Sequence, residues 1–432
     1  MISEQIRITG GTQLRGAVPA VPSKSHTHRA VLAASLSSER SRIENPSLSE
    51  DVQATVEAAK AYGAEIILDR ETLVVTGADQ IGTPQDVVDC RDSGSTMRFV
   101  TPILAHAQGI SVVTGGRSLR KRPMQPMIDS LSQLGVQCYS SRNNGCAPLI
   151  LFGGTYRGGK TQVVGDVSSQ FISGLLFSAA CADQTTSIEV TTHLESEPYV
   201  HMTVKTLTCH GIEIDANSSL TRFTVKGGQI ASAYDHMIEG DYSSAALILA
   251  AGVVTGSEIG VSGLKTSGSL QGDSEVISFL KDMGADVEAQ DRTVRVRSAR
   301  LRATTIDARN HPDLVPPLTA VACCAQGTTN IVNAERLKIK ESDRLATLAS
   351  ELTKMGAEII ETDEGLEITG VSTLRGATVD SHEDHRIAMA CAVVALAAKG
   401  ETTINGAGCV AKSYPTFFDD LRRLGANIIA QQ

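Results

Sequence analysis

One signature recurs six times along this chain: a helical stretch, then a glycine, then a short β-branched run. It reads AAKAYGAEII, SLSQLGVQC, TLTCHGIEI, FLKDMGADV, ELTKMGAEI and DLRRLGANI, with the glycines at Gly63, Gly135, Gly211, Gly284, Gly356 and Gly425. Their separations are 72, 76, 73, 72 and 69 residues, so six units account for all 432 residues. The chemistry of the signature is local. Glycine ends a helix in a left-handed conformation that other residues resist, and the β-branched run that follows favours a strand. A period this long excludes the usual helical solenoids, which repeat at roughly 20–50 residues.

A second mark keeps the same frame. An Ala-rich helix runs into a small-residue turn and a strand, as in LAHAQGISVV, LAAGVVTGSEIGV, AVACCAQGTTNIV and ALAAKGETTIN. Two helices per unit with intervening strands predict α/β layering. Aromatic residues are 3% of the chain, with no Trp, so the core must be aliphatic. The segment KGGQIASAYDHMIEGD, near 226–241, divides the units three and three. Met283 and Met355 fall at matching repeat positions and read as packing, and Cys323-Cys324 reads as core within an Ala-rich helix. The net charge of −9 supplies no global positive field, so we expect no nucleic-acid partner. No apolar run reaches membrane-spanning length, and the N-terminus MISEQIRITGG has neither a signal nor a transit pattern. We therefore expect a cytoplasmic chain without a membrane partner. Nine cysteines with no CxxC pair read as free thiols.

Six polar motifs stand before the six Ala-rich helices: VPSKSHTHRA (21–30), DSGSTMRF (92–99), DVSSQF (166–171), GDYSSAA (240–246), HPDLVPP (311–317) and EDHRIAMA (383–390). Ser, Asp and Pro suit helix caps and first turns, which suffices for GDYSSAA. Capping does not explain Lys24, Arg29, Arg98, His385 or Arg386. A cation there opposes the helix dipole at a cost of roughly 0.3–1 kcal/mol unless an anion is present. Helix N-termini furnished with Lys and Arg are anion sites. Two further clusters, RSLRKRP (117–123) and RLKIKESDR (336–344), read singly as charged faces, but the acid beside base in KESDR also suits proton transfer. No stretch forms a P-loop or a dinucleotide fingerprint, so no nucleotide cofactor is indicated.

In this order the motifs SKSxxxR, SGSTMR, VSSQF, PDLxPxL, KESDR, DHRxAMA and AKSYPxFF run from Lys24 to Phe418. Together they resemble the 5-enolpyruvylshikimate-3-phosphate (EPSP) synthase family, the 3-phosphoshikimate 1-carboxyvinyltransferases. The resemblance implies a two-domain inside-out α/β barrel of six βαβαββ repeats, three per domain. It implies domains at 20–239 and at 240–432 plus 1–19, with IRITGG crossing back to complete the second, and an active site in the cleft between them. The implied reaction joins phosphoenolpyruvate to the 5-hydroxyl of 3-phosphoshikimate and releases phosphate by addition–elimination through a tetrahedral intermediate, in the shikimate pathway to chorismate and the aromatic amino acids. It needs no metal and no organic cofactor, and we expect a monomer.

The resemblance also implies roles. Lys24, Ser25, Arg29, Ser168, Ser169, Gln170, Ser196, Asp313 and Lys340 would bind 3-phosphoshikimate. Lys24, Gly94, Arg122, Gln170, Arg344, Arg386 and Lys412 would bind phosphoenolpyruvate. Asp313 would take the hydroxyl proton, Glu341 would move the proton at the methylene carbon, and Lys24 and His385 would stand beside the transferring group. Three positions depart from the family's habit: Pro22, Asp92 and Ser95 replace its usual Gly, Asn and Thr. Asp92 brings negative charge near a phosphate site, which costs affinity unless a cation answers it.

Other readings stay open on residues alone. A sister family transfers enolpyruvyl to a UDP-sugar, but the stretch Ser111–Pro123 lacks its cysteine acid. His382, Glu383, Asp384 and His385, with His26, His28 and His311, suggest metal ligands but offer no third ligand at helical spacing. A non-catalytic repeat scaffold would not need cations at its helix starts.

Overall fold

The computed structural model of the chain describes residues 4–297 and 300–431. Residues 1–3 of the expected segment 1–19, and 298, 299 and 432 of the expected 240–432, lie outside them. The chain divides into two compact units, Pro22–Ile238 and Met1–Val21 with Glu239–Gln432.

Each repeat builds one four-stranded sheet, and the described residues form six. The second repeat shows the plan. Strand Val88–Asp89 leads into helix Gly94–Ile103, strand Gly109–Thr114, helix Gln125–Gln133, and strands Gln137–Ser140 and Leu149–Gly153. The first strand pairs parallel to Gly109–Thr114, and the other contacts are antiparallel. Each unit borrows strands to finish its set. In the Pro22–Ile238 unit, His236–Met237 returns to pair with Ser41–Glu44 in the first repeat's sheet. In the other unit, Arg15–Pro19 pairs parallel to Glu258–Ser262. There Gln5–Thr9 lies between Glu401–Asn405 and Asn427–Gln431, antiparallel to both, as IRITGG predicted.

Beyond its first two turns the first helix of each repeat is apolar or small, and such a stretch is buried on every side. Helices Tyr242–Val254 and His385–Ala397 are buried along almost their full length. The three such helices of each unit therefore form its centre, with the sheets outside them, and the two units have separate hydrophobic cores. Their N-termini carry the polar motifs. Ser23, Ser93, Ser168, Asp241 and Asp384 each accept a bond from a backbone N–H of the first turn. Helix Val315–Ala322 instead begins from a 3₁₀ turn at Pro312–Leu314.

The second helices end as the glycine spacing predicts. All six marker glycines have positive φ, between 79° and 114°. At Gly284, φ is +88°, and an added Cβ would lie 2.7 Å from the carbonyl oxygen of Arg300. Gly284→Ala should lower stability by about 1–2 kcal/mol from the left-handed conformation alone. A denaturant midpoint equal to that of the parent would contradict this. Met283 and Met355 are wholly buried, as packing residues. The cysteine pair needs correction. Helix Val315–Ala322 stops one residue before it, so Cys323 is the buried C-cap and Cys324 is only part-buried. All nine cysteines are free thiols. Among the described residues no helix is long and apolar enough to cross a membrane.

Candidate active site

In the Pro22–Ile238 unit the predicted cations Lys24, Arg29 and Arg98 lie in the N-terminal halves of two central helices, Lys24–Ala34 and Gly94–Ile103. Arg29 is 2% exposed. It donates to Thr203 Oγ1 (2.8 Å), to the Ser25 carbonyl (2.9 Å) and to the Tyr199 carbonyl (3.1 Å). Its guanidinium also lies over the rings of Phe99 and Tyr199. None of these partners is a carboxylate, and burial pulls its pKa down to about 10. A desolvated cation met only by dipoles and π-faces is poised for an anion. Lys24 is different: its Nζ bonds Asp51 Oδ2 at 2.7 Å.

The second group centres on Gln170. Its Oε1 accepts from Arg98 (2.8 Å), and its Nε2 donates to Ser95 Oγ (2.8 Å). Ser95, one of the three departures, thus still supplies the hydroxyl that orients Gln170. Ser168 caps the helix that Ser169 and Gln170 open. Gly94 is a close-approach position, since a Cβ there would lie 2.5 Å from Arg122 Nη1. Asp92 packs against Gly116, where a Cβ would come within 2.3 Å of its Oδ1. Ser196 is 4% exposed and left-handed (φ 54°) at the start of helix Glu197–Cys209, an uncommon conformation for serine.

In the other unit, the acids and bases predicted from HPDL, KESDR and EDHR interlock. Arg344, 1% exposed, donates to Asp384 Oδ2 (2.8 Å), Asp313 Oδ1 (3.0 Å) and Glu341 Oε2 (2.7 Å). Burial opposes its charge, but Asp384, Glu341 and Asp313 outweigh burial and raise its pKa. Arg386 donates to Asp313 Oδ2 (2.9 Å) and to the Asp313 carbonyl (3.2 Å). One guanidinium thus grips each oxygen of the Asp313 carboxylate. Asp384 anchors the group: it caps helix His385–Ala397 through Arg386 N (2.9 Å) and accepts from Ser342 Oγ (3.1 Å). Lys412 Nζ bonds the Glu383 carbonyl at 3.0 Å, in a turn where His382 and Glu383 are both left-handed. The His385 ring is enclosed, with Nδ1 4.0 Å from Asp384 Oδ1. Lys340 stands half-buried between the turn Glu335–Ile339 and helix Arg344–Lys354.

The charged-face reading of the two basic clusters fails at Arg122, Arg336 and Arg344, which are buried. It holds at Arg117, Arg120 and Lys121, which are exposed. Sequence reasoning passed over Asp51, the partner of Lys24, and treated Asp384 only as a metal-like residue. Among the described residues, no three His, Cys, Asp or Glu side chains are grouped to hold a metal ion, and His382 instead bonds Glu351 at 2.8 Å.

Burial also shapes the titration of this fold. It pushes His28 well below its usual value, with Lys24 and Arg29 adding to the effect. It takes His106 to about 4 and His236 to about 3. The unfolded chain protonates these rings near 6.5, whereas the folded chain does so only at much lower pH. Below 6.5 the unfolded state therefore binds more protons, and stability falls, by at most about 1.4 kcal/mol per pH unit for each histidine. Denaturant midpoints should be lower at pH 5 than at pH 7.5; equal midpoints would contradict the assignment.

Buried cations at helix N-termini, with carboxylates set among guanidiniums, define an α/β protein built to hold a small, multiply anionic molecule and exchange protons with it. A family profile described as EPSP synthase (3-phosphoshikimate 1-carboxyvinyltransferase) matches residues 8–421. A 3-phosphoshikimate 1-carboxyvinyltransferase of Methanocella arvoryzae is 46% identical over 418 residues, covering 96% of this chain and 97% of the relative. Proteins of the same name from Methanococcus maripaludis and Methanocaldococcus jannaschii are each 41% identical over 420 residues, with the same coverage. A solved EPSP synthase from Acinetobacter baumannii superposes with a TM-score of 0.83 at 25% identity, covering 99% of this chain and all of that one. The chain belongs to the EPSP synthase family.

Proposed function

We propose that this chain transfers the enolpyruvyl group of phosphoenolpyruvate to the 5-hydroxyl of 3-phosphoshikimate and releases phosphate, as a transferase of the shikimate pathway. The observation that carries the reading is the Asp313 carboxylate, held with one oxygen on Arg344 and the other on Arg386. Arg344 turns its Nε and Nη2 to Asp384 and Glu341 and one Nη1 hydrogen to Asp313. In this reading its remaining Nη1–H, with the Nε and Nη2 of Arg386, faces phosphoenolpyruvate.

In this reading Arg122, Arg344, Arg386, Lys412 and Lys24 receive phosphoenolpyruvate, with Gln170 and the close-approach position Gly94. Ser25, Arg29, Ser168, Ser169, Gln170, Ser196 and Lys340 receive 3-phosphoshikimate with Lys24. The 5-oxygen attacks C2 of phosphoenolpyruvate as Asp313 accepts the hydroxyl proton, while C3 gains a proton through Glu341. Elimination returns the C3 proton to Glu341 as the C2–O bond to phosphate breaks. The cations spread along both ligands stabilise charge that shifts between oxygens. His385, enclosed beside Asp384, would support the transferring group from behind. The reaction belongs in the cytoplasm, and the chain acts as a monomer without nucleic acid or membrane.

Lys24→Met tests the binding assignment. It removes one charge-assisted contact to each ligand, about 1.5–3 kcal/mol. The KM values should rise about 10- to 100-fold, and the unfolding midpoint should also fall, because the buried Asp51 carboxylate loses its cation at 2.7 Å. Unchanged KM values for both substrates would remove Lys24 from the site.

A further inference from the structure

Asp273 stands in the 3₁₀ turn Gly272–Glu275, on a different repeat from Asp313, and is 0% exposed. Nothing in its surroundings QGDSE marks it as more than a turn residue. Its Oδ2 accepts from Ser243 Oγ, at the start of helix Tyr242–Val254. The Ser243 carbonyl and the Asp313 carbonyl both accept from the same nitrogen of Arg386, Nη1. The turn itself is clamped by the neighbouring Gln271. Its Nε2 donates to Glu239 Oε1 (2.9 Å) and the Gly240 carbonyl (2.8 Å), and its Oε1 accepts from Tyr242 N (3.0 Å). Asp273 is thus a rigidly placed second carboxyl joined to Asp313 through Ser243 and Arg386.

We propose that Asp273 is a positioning residue for Asp313: it orients Ser243 and Arg386 behind the Asp313 carboxylate, and its charge state sets how strongly Asp313 holds a proton. This rests on reading Asp313 as the proton acceptor. The charged groups that bear on Asp273 are Asp313 from the Pro312–Leu314 turn, Arg386 from helix His385–Ala397, and Asp241 before helix Tyr242–Val254. Burial, and then the charge of Asp313, lift the Asp273 carboxyl to about 7, against the opposing Ser243 hydrogen bond and Arg386. Coupling of this kind is mutual, so a charge appearing on Asp273 makes Asp313 hold a proton more strongly. A stronger base at Asp313 speeds proton removal from the attacking hydroxyl.

The test is the pH dependence of kcat for phosphate release from phosphoenolpyruvate plus 3-phosphoshikimate. In the parent enzyme kcat should rise about two- to fivefold across an inflection near neutral pH, the order a Brønsted dependence on one neighbouring charge gives. Asp273→Asn should abolish that inflection and stay on the lower plateau. Ser243→Ala removes the bond that favours the charged form, so its inflection should move to higher pH. The substrate phosphates titrate identically in all three proteins and cancel in the comparison. Should Asp273→Asn not fold, Ser243→Ala decides alone. A parent profile without the inflection, or an inflection unmoved in the folded variants, overturns the proposal. Asp313→Asn distinguishes the underlying reading: if it keeps the parent rate, Asp313 is not the proton acceptor, whatever the other variants do.

Discussion

Arg344→Met is expected to destabilise the fold by about 3–5 kcal/mol, the usual cost of removing one partner from a buried ion cluster. Arg344 is the common counter-ion of three carboxylates, at 2.8 Å, 3.0 Å and 2.7 Å. Of these Asp384 is 0% exposed and cannot turn to water. Without the guanidinium, the Asp384 carboxylate is left with the Arg386 backbone N–H, the Ser342 hydroxyl and, at 4.0 Å, the His385 ring. Arg344→Lys should not rescue the loss, because one ammonium cannot present the planar fork that reaches three acceptors. Denaturant unfolding checks both variants. A midpoint for Arg344→Met within error of the parent would show that the cluster contributes nothing to stability.

Asp313→Asn is expected to lower kcat by about 10²–10⁴-fold, the range for loss of a positioned general base. The amide keeps the size of the carboxyl and one acceptor oxygen, so binding of 3-phosphoshikimate should change far less than turnover. Calorimetric titration with 3-phosphoshikimate and single-turnover phosphate release separate the two effects. Equal losses in binding and turnover would make Asp313 a binding group rather than the proton acceptor.

The repeat was legible because it is written in local chemistry. Gly63, Gly135, Gly211, Gly284, Gly356 and Gly425 each answer a backbone demand that six neighbouring residues reveal. The helix starts were legible for the same reason: Ser23, Ser93, Ser168, Asp241 and Asp384 are caps, and the cations beside them contradict capping. Partner choice was not legible. Asp51 sits in SEDVQ, where an acid in a first helical turn needs no special cause, and only packing brings it to Lys24. Arg336 and Arg122 look like members of charged runs, yet the fold buries them while leaving Arg117 and Arg120 in water. Asp273 lies 40 residues from Asp313 in the chain. Nothing in QGDSE shows that the two carboxyls are linked through Ser243 and Arg386. These pairings depend on how three repeats close around their central helices, which no short window contains.

Phosphate release from purified, metal-free-buffer protein is the most direct test of the proposed reaction. The protein should release phosphate only when phosphoenolpyruvate and 3-phosphoshikimate are both present. No release from a folded sample given both would contradict the assigned acceptor, and release from phosphoenolpyruvate alone would contradict the transfer itself.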